Sequence, residues 1–443
     1  MKIKLSDHFN YKKILIFTLP SIAMMVFSSI YWIVDGFFVS NFAGKTAFAA
    51  VNFIYPFIAI LGTIGFMFGT GGSALVAKTL GEKQNEKANK IFSMLIYVSI
   101  IVGIIITILG QVFLKDVAIL LGAEGDMLDN CVLYGRVVLL STTAFMLQMQ
   151  FQSFFVTAEK PTLGLIVTLI AGVSNMILDA LLVGVFNLGI VGAASATVVS
   201  QSIGGFVPLI YFARKNTSLL KLCKFSFDGK ALLKTCTNGS SELMSNVSMN
   251  LVGMLYNVQL LKYAGEDGVA AYGILMYVCM IFLAIFIGYS VGIAPVIGYH
   301  YGANNENELK GLLKKSLIII ITASISMFAL SEILATPLSM IFASYDKELL
   351  ELTKRGFLLY SFSYLFAGLA IFGSGFFTAL NNGLISAIMS FLRTLVFQIA
   401  AVFLLPLIWD IDGIWVSVVF AELMAAMLSI IFILANKNRY KYL

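Results

Sequence analysis

The chain has 443 residues, of which 59% are hydrophobic and only 12% are charged, and its mean hydropathy is +0.93. A typical globular chain is about one quarter charged, so this composition excludes a water-soluble surface and predicts a polytopic membrane protein. The net charge of +6 does not indicate nucleic-acid binding, because Lys and Arg lie in short loops between apolar runs, which is how membrane orientation is encoded.

Twelve apolar runs are each long enough to cross a bilayer, which takes about 20 residues in a helix. The predicted spans are 14–38, 48–70, 91–114, 131–156, 162–185, 189–212, 238–261, 268–291, 316–341, 356–379, 384–408 and 412–434. The first run carries no signal-peptide cleavage pattern, so we expect it to be retained as a helix.

The two halves of the chain share one pattern at a constant spacing, equal to half the chain length. Its clearest matches are Gly44 with Gly265, Gly71 with Gly292, Gly81 with Gly302, Thr157 with Thr378, and Gly192 with Gly413. A repeat of this length predicts two related structural units. Each unit holds six spans, an even number, so both enter the membrane in the same direction and a pseudo-two-fold axis should run along the membrane normal.

The predicted fold is therefore an all-α integral membrane protein with twelve transmembrane helices in two six-helix lobes. We predict an N-terminal lobe at 1–213, a cytoplasmic linker at 214–237 and a C-terminal lobe at 238–443. The loops on the side of both termini contain 21 of the 29 Lys and Arg residues. This bias predicts cytoplasmic termini in a multi-pass protein of the cell membrane.

Ionisable side chains inside apolar spans are costly, so each needs a partner, a cavity or a function. Asp35 lies in span 1, and Asn175 and Asp179 share one face of span 5 because they are four residues apart. Thr197 in span 6 should lie at a similar depth. Two carboxylates, an amide oxygen and a hydroxyl suit a proton or a small hard cation such as Na⁺. In the alternative interpretation, Asp35 caps its helix and Asp179 bonds a neighbouring backbone group.

A second polar set runs along span 7. Glu242, Asn246, Asn250, Gly253 and Asn257 lie on one helical face. A polar stripe of this length cannot face lipid, so it either packs against other helices or lines a central aqueous cavity. In the cavity, Glu242 would attract cationic solutes.

Two further sets are weaker. Gln148 and Gln152 share a face of span 4 with Ser141 and could belong to the substrate cavity, although the Met and Phe residues around them are typical of ordinary packing. Arg393 in span 11 and Glu422 in span 12 both fall near the membrane midplane. For these two we favour a structural ion pair over a substrate contact.

With these residues the chain resembles the multidrug and toxic compound extrusion (MATE) family along essentially its whole length. The segments that carry the resemblance are Pro20 with Asp35, residues 39–44 (VSNFAG), residues 80–82 (LGE), Asn175 with Asp179, and residues 295–303 (PVIGYHYGA). The resemblance implies an exporter with two lobes in a V, which exchanges inward-moving Na⁺ or H⁺ for outward-moving cationic amphipathic compounds.

The resemblance also implies roles for single residues. Asp35, Asn175, Asp179 and Thr197 match the family's cation site in the N-terminal lobe. Pro20 matches a proline at which helix 1 bends, and Glu242 matches an acidic residue that many members carry in helix 7. Some members place an acid in helix 10, whereas residues 356–379 contain none, so coupling should rest on the N-terminal lobe.

No cofactor is expected, because the chain has only two His and its four Cys are scattered. The expected partners are small cationic molecules and the lipid bilayer, with the protein as a monomer. Two alternatives stay open. A lipid-linked oligosaccharide flippase of related fold would need several basic residues in its cavity, and Arg393 is the only one clearly inside a span. An integral-membrane enzyme lacks a catalytic constellation at an aqueous mouth.

Overall fold

The apolar runs fold into α-helices, which satisfy their backbone hydrogen bonds internally as a bilayer interior requires. The computed structural model describes residues 3–343 and 346–443, and these ranges contain helices and no strand. The helices are α1 Tyr11–Phe38, α2 Lys45–Gly81, α3 Asn85–Leu121, α4 Gly125–Leu139, α5 Thr142–Thr157, α6 Pro161–Leu178, α7 Gly189–Ala213, α8 Gly229–Gly302, α9 Glu306–Ala343, α10 Lys347–Tyr360, α11 Tyr364–Ala379, α12 Gly383–Phe391, α13 Phe397–Leu404, α14 Pro406–Ala435 and α15 Lys437–Tyr440. Lys2, which contributes to the predicted charge bias, lies outside the described residues.

These helices account for all twelve predicted spans. Ten helical stretches of the described residues are long and apolar enough to cross a membrane, and the bent pair α4–α5 makes one more. The long helix α8 supplies two crossings, because its backbone leaves the helical conformation at Gly265 (φ 63°). It begins at Gly229, so helix covers the last part of the predicted linker 214–237.

Span 4 is not one straight helix, as the sequence had suggested, but two helices bent by 58°. The bend has a local cause. The Ser141 hydroxyl donates to the Val138 carbonyl (2.8 Å), and the Thr142 hydroxyl donates to the Leu139 carbonyl (2.8 Å). Hydroxyl groups that bond back to the preceding turn bend helices. The corresponding place in the second half, Ser361–Ser363, is a short 3₁₀ turn between α10 and α11.

The internal repeat is visible in the backbone. Three pairs of positions related by the repeat have positive φ angles at both members: Gly44 and Gly265 (92° and 63°), Lys83 and Asn304 (61° and 53°), and Gly189 and Asp410 (54° and 47°). Each of these residues lies between two helices, at the start of one or at a break within one, as Gly265 does in α8 and Asp410 does in α14. The helix boundaries of the two lobes are therefore set by the same repeated pattern.

The two lobes make close contact at glycines that are partners in the repeat. A Cβ atom added to Gly81 of α2 would overlap the carbonyl oxygen of Tyr299 in α8, and one added to Gly302 of α8 would overlap the carbonyl oxygen of Lys78 in α2. Because Gly81 and Gly302 are repeat partners, these are two copies of one contact. A pseudo-two-fold axis between the lobes explains this reciprocity.

The close glycine contacts between the lobes lie toward the side of the membrane that carries the termini. Glycines that touch the other lobe are Gly71, Gly72, Gly81, Gly239, Gly288, Gly292, Gly298 and Gly302. In the opposite half, Gly36, Gly253 and Gly273 have no heavy atom within 4 Å of an added Cβ, and the other glycines there meet only residues of their own lobe. The lobes thus form a V that is closed near the termini and opens toward the opposite side.

The segment before α1 bridges both lobes on the closed side. The Leu5 amide donates to Glu159 Oε1 in the N-terminal lobe (2.8 Å). The Phe9 amide donates to Glu308 Oε1 in the C-terminal lobe (2.8 Å), and His8 Nδ1 lies 2.6 Å from Glu308 Oε2. Leu5 and Phe9 are fully buried.

Glu308→Gln should therefore lower the stability of the protein. An amide oxygen is a weaker acceptor than the carboxylate that now receives two bonds, so we expect a loss of about 1–3 kcal/mol in the free energy of unfolding. A thermal melt in detergent measures it. Glu86→Gln is the control, because Glu86 pairs with Lys90 on the exposed surface, and it should leave the melting midpoint unchanged. An equal shift in both variants would contradict the bridging role.

Candidate functional site

The four residues predicted to bind a cation converge in the N-terminal lobe. Asp35 lies near the end of α1, Asn175 on α6, Asp179 directly after α6 and Thr197 on α7. All four are buried, and Asp179 has no exposed surface. The packing of α1, α6 and α7 thus brings these four side chains into one region of the lobe.

Small residues bring the three helices close enough for this convergence. A Cβ added to Gly164 or Gly172 of α6 would press against Met24 or Phe27 of α1. The Ser200 hydroxyl of α7 donates to the carbonyl of Ala171 in α6 (2.8 Å). Close packing through small residues and interhelical hydroxyl bonds is the usual way in which membrane helices associate.

The carboxylates of Asp35 and Asp179 face each other, and few hydrogen-bond donors compensate their negative charge. Asp35 interacts with both Asn175 and Asp179. Yet Asp35 Oδ1, Asn175 Oδ1 and both carboxylate oxygens of Asp179 are buried without a hydrogen-bond donor among the described residues. Buried carboxylates without partners are very unfavourable unless they are protonated or paired with a cation. Oxygen donors of this kind suit protons and hard cations.

The backbone departs from regular α-helix on both sides of this site. Residues Asp179–Val185 form a π-helical segment that begins at the second carboxylate. Residues Val39–Ala43 form another, one turn after Asp35. π-Helical turns inside helices occur frequently at functional sites. Here one begins at Asp179 and the other follows Asp35 by one turn.

Three tyrosines that the sequence analysis did not single out surround the carboxylates. Tyr31, Tyr55 and Tyr134 all lie within electrostatic range of Asp35, and Tyr134 also contacts Thr197. Tyr31 could have been found, because it precedes Asp35 by four residues and so shares its helical face. Tyr55 and Tyr134 come from α2 and α4, and only the packing of the lobe brings them here.

The predicted polar stripe lies on the first half of α8. The amide nitrogen of Asn246 donates to the Glu242 carbonyl (2.8 Å), and that of Asn250 donates to the Asn246 carbonyl (2.9 Å). Both Asn residues and Glu242 are half-buried, and Gly253 faces open space. Whether this face lines a central cavity or packs against other helices is not decided by these contacts, and the cavity stays a prediction.

The single substrate cavity predicted from Glu242, Asn246, Asn250, Gln148 and Gln152 stays a prediction. Gln148 and Gln152 are buried inside the N-terminal lobe, whereas Glu242, Asn246 and Asn250 are half-buried on α8. In the N-terminal lobe, the two Gln residues line a small pocket of about 10 Å³ with Phe151 and Phe155. Gln148 also contacts Tyr31, so this pair adjoins the aspartate site.

Arg393 and Glu422 form the predicted ion pair. Arg393 Nε lies 2.9 Å from Glu422 Oε2, and Arg393 Nη2 lies 2.9 Å from Glu422 Oε1. Arg393 belongs to a π-helical segment, Leu392–Val396, between α12 and α13. The two-point geometry is the strong form of such a pair.

The second lobe does not repeat the carboxylate site. Tyr256 is the repeat partner of Asp35 and is buried in the C-terminal lobe. Its hydroxyl donates to Gln398 Oε1 (2.8 Å). An uncharged, hydrogen-bonded pair of Tyr256 and Gln398 therefore occupies the place where the first lobe has aspartates without hydrogen-bond donors. Pro20 lies within α1, which is continuous from Tyr11 to Phe38, and a bend there stays a prediction.

Comparison with known proteins agrees with the repeat and with the two lobes. The sequence model of the MatE family matches residues 20–181 and again residues 243–404, once in each lobe. The chain belongs to the MatE family. As a MATE protein it is a multi-pass membrane transporter of the multidrug and toxic compound extrusion type, in a family of transporters rather than enzymes.

Relatives and solved structures match this MATE protein over nearly its whole length. It is 28% identical to the multidrug export protein MepA of Staphylococcus haemolyticus, over 97% of this chain and 94% of that one. A MATE multidrug resistance transporter solved in an outward-facing conformation superposes with a TM-score of 0.92, at 20% identity and 98% coverage of both chains. A MATE transporter in a straight conformation gives the same score, identity and coverage. These likenesses confirm the twelve-helix, two-lobed fold.

Proposed function

We propose that this MATE protein is a secondary active antiporter that exchanges Na⁺ or H⁺ for cationic amphipathic compounds. The observation that carries the proposal is the pair of buried, uncompensated carboxylates in the N-terminal lobe. Such a pair is stable only with a proton or cation bound. A site that must be filled in one state and can be emptied in another is what ion coupling requires.

The coupling site consists of Asp35, Asn175, Asp179 and Thr197, all of which supply oxygen atoms to one buried region. The bound ion stabilises one arrangement of the lobes and the exported compound stabilises the other, because coupling needs different affinities in the two states. Rocking of the lobes about their common axis then alternates access. Pro20 gives α1 a place to bend, since proline removes one helical hydrogen bond.

The exported compound binds along the opening of the V. Glu242 supplies negative charge there, and Asn246 and Asn250 supply polar contacts on the same face of α8. Gln148 and Gln152 adjoin the ion site and link it to the aromatic interior of the N-terminal lobe. The relatives named as multidrug export proteins support small-molecule cargo. The excess of Lys and Arg in the terminal-side loops supports a cytoplasmic position of both termini. We also propose that the protein works as a monomer in the plasma membrane.

Efflux from vesicles tests this proposal. The purified protein is reconstituted, loaded with a fluorescent monocation, and given an inward sodium gradient alone or an inward proton gradient alone. We expect one of these gradients to drive export well above the rate of protein-free vesicles, and the effective gradient identifies the coupling ion. Absence of export under either gradient would refute the antiport mechanism.

A further inference from the structure

A second cavity lies in the C-terminal lobe, on the side of the membrane that carries the termini. It has a volume of about 220 Å³ and lies between the turn that joins α8 to α9 and the C-terminal end of the chain. The aspartate site belongs to the other lobe, so the proposed antiport does not use this cavity. Pockets for drug-sized ligands measure roughly 300–1,000 Å³. The cavity therefore suits a small chemical group rather than an exported compound.

The C-terminal end of the chain is held in place by two buried tyrosines, Tyr440 and Tyr442. The Tyr440 hydroxyl accepts a hydrogen bond from Asn382 Nδ2 (2.8 Å), and the Tyr442 hydroxyl donates to a backbone carbonyl of α14 (2.9 Å). Arg439 and Lys441 alternate with these tyrosines along the chain and are exposed. Both line the cavity. The anchored tyrosines thus hold two cationic side chains beside one cavity.

The cavity lining carries an excess of positive charge. Lys441 Nζ lies 2.8 Å from Glu306 Oε1 at the start of α9. The Arg439 guanidinium lies 5.3 Å from the centroid of the Tyr440 ring, and it makes no hydrogen bond or ion pair among the described residues. The other lining residues are uncharged, with His300 counted as neutral. Two cations and one carboxylate leave a net charge of plus one.

We infer that this cavity binds a phosphate group. A free guanidinium offers parallel N–H donors that match two phosphate oxygens, and a neighbouring ammonium adds a second positive charge. Basic pockets at the membrane surface bind the headgroups of anionic phospholipids, and free phosphate offers the same chemistry. The inference goes beyond the proposed antiport and does not depend on it.

Two titrations of the purified protein in detergent test the inference and separate the two sources of phosphate. The first follows the fluorescence anisotropy of a labelled phosphatidylglycerol. The second follows inorganic phosphate by calorimetry at constant ionic strength. We expect saturable binding of the lipid, and we expect inorganic phosphate to displace it. Arg439→Gln should weaken binding at least about tenfold, because a hydrogen-bonded contact between two charged groups is lost.

Two further variants separate a defined site from general charge attraction and from loss of folding. Glu306→Gln releases Lys441 from its ion pair and raises the net charge of the lining to plus two. It should tighten binding about two- to fivefold, the effect of one surface ion pair on an equilibrium, and poor folding cannot cause tighter binding. Lys437→Gln is the matched control. Lys437 is exposed in the same C-terminal segment and does not line the cavity, so the affinity should stay unchanged.

Binding of the labelled lipid that depends on Arg439 would support a headgroup site, and binding of inorganic phosphate alone with the same dependence would support a site for free phosphate. The inference is overturned if neither ligand binds, or if Arg439→Gln binds as the native protein does. It is also overturned if Lys437→Gln weakens binding as much as Arg439→Gln. None of these measurements uses an ion gradient, so their failure leaves the antiport proposal untouched.

Discussion

Asp179→Asn should reduce gradient-driven export to the rate of protein-free vesicles, and Asp35→Asn should do the same. Each change removes one of the two carboxylates that bind the coupling ion in the proposed mechanism, and an amide neither takes up a proton in this range nor neutralises a cation. The thermal stability should stay equal or rise, because both oxygens of Asp179 are buried without a donor and removing an uncompensated buried charge is favourable.

Export and melting temperature are measured on the same preparations. Asp129→Asn is the control, since Asp129 is exposed on α4, and it should behave like the native protein in both assays. Full gradient-driven export by either site variant would remove that residue from the coupling role. A large fall in melting temperature together with lost export would indicate a structural role instead.

Gly81→Ala should strongly reduce export, because it would push the two lobes apart. The added methyl group would overlap the Tyr299 carbonyl oxygen of the other lobe. A backbone carbonyl cannot rotate out of the way as a side chain can. The lobes must therefore separate on the side of the termini, and we expect a destabilisation of about 1–3 kcal/mol with export reduced more than tenfold.

The repeat supplies a second variant and a control. Gly302→Ala should have the same effect, because its methyl group would overlap the Lys78 carbonyl in the symmetry-related contact. Gly273→Ala adds the same methyl group on α8 where no heavy atom lies within 4 Å, and it should export normally. Melting curves and vesicle export measure all three. Normal export by Gly81→Ala would show that this contact is not needed for the transport cycle.

Much of the architecture could be predicted from the sequence. The constant spacing between the two copies of the repeated pattern predicts two related lobes, and hydropathy predicts twelve spans, because both follow from local composition. The proximity of Asp35 to Asn175 and Asp179 was also predictable, since Asn175 and Asp179 share a helical face and the depth of Asp35 follows from its position in α1. These arguments need only helix geometry and the direction of each span.

The features that sequence reasoning missed depend on tertiary packing. The bend at Ser141 comes from hydroxyl bonds that a hydropathy profile does not register. Tyr134 reaches the aspartates only because α4 packs beside α7. The contact of Phe9 with Glu308 joins residues 299 apart in the chain, which no local pattern could indicate.

Tyr256 stands in the second half of the repeat where Asp35 stands in the first, so the two lobes of this duplicated fold have different roles. If the proposed antiport holds, the coupling ion binds only in the N-terminal lobe, and the exported compound is recognised chiefly by charges in the C-terminal lobe. The two need never compete for the same oxygen atoms. Ion binding and cargo binding must then be coupled by a rigid-body movement of one lobe against the other. The close glycine contacts between the lobes therefore transmit this movement and do not only hold the lobes together.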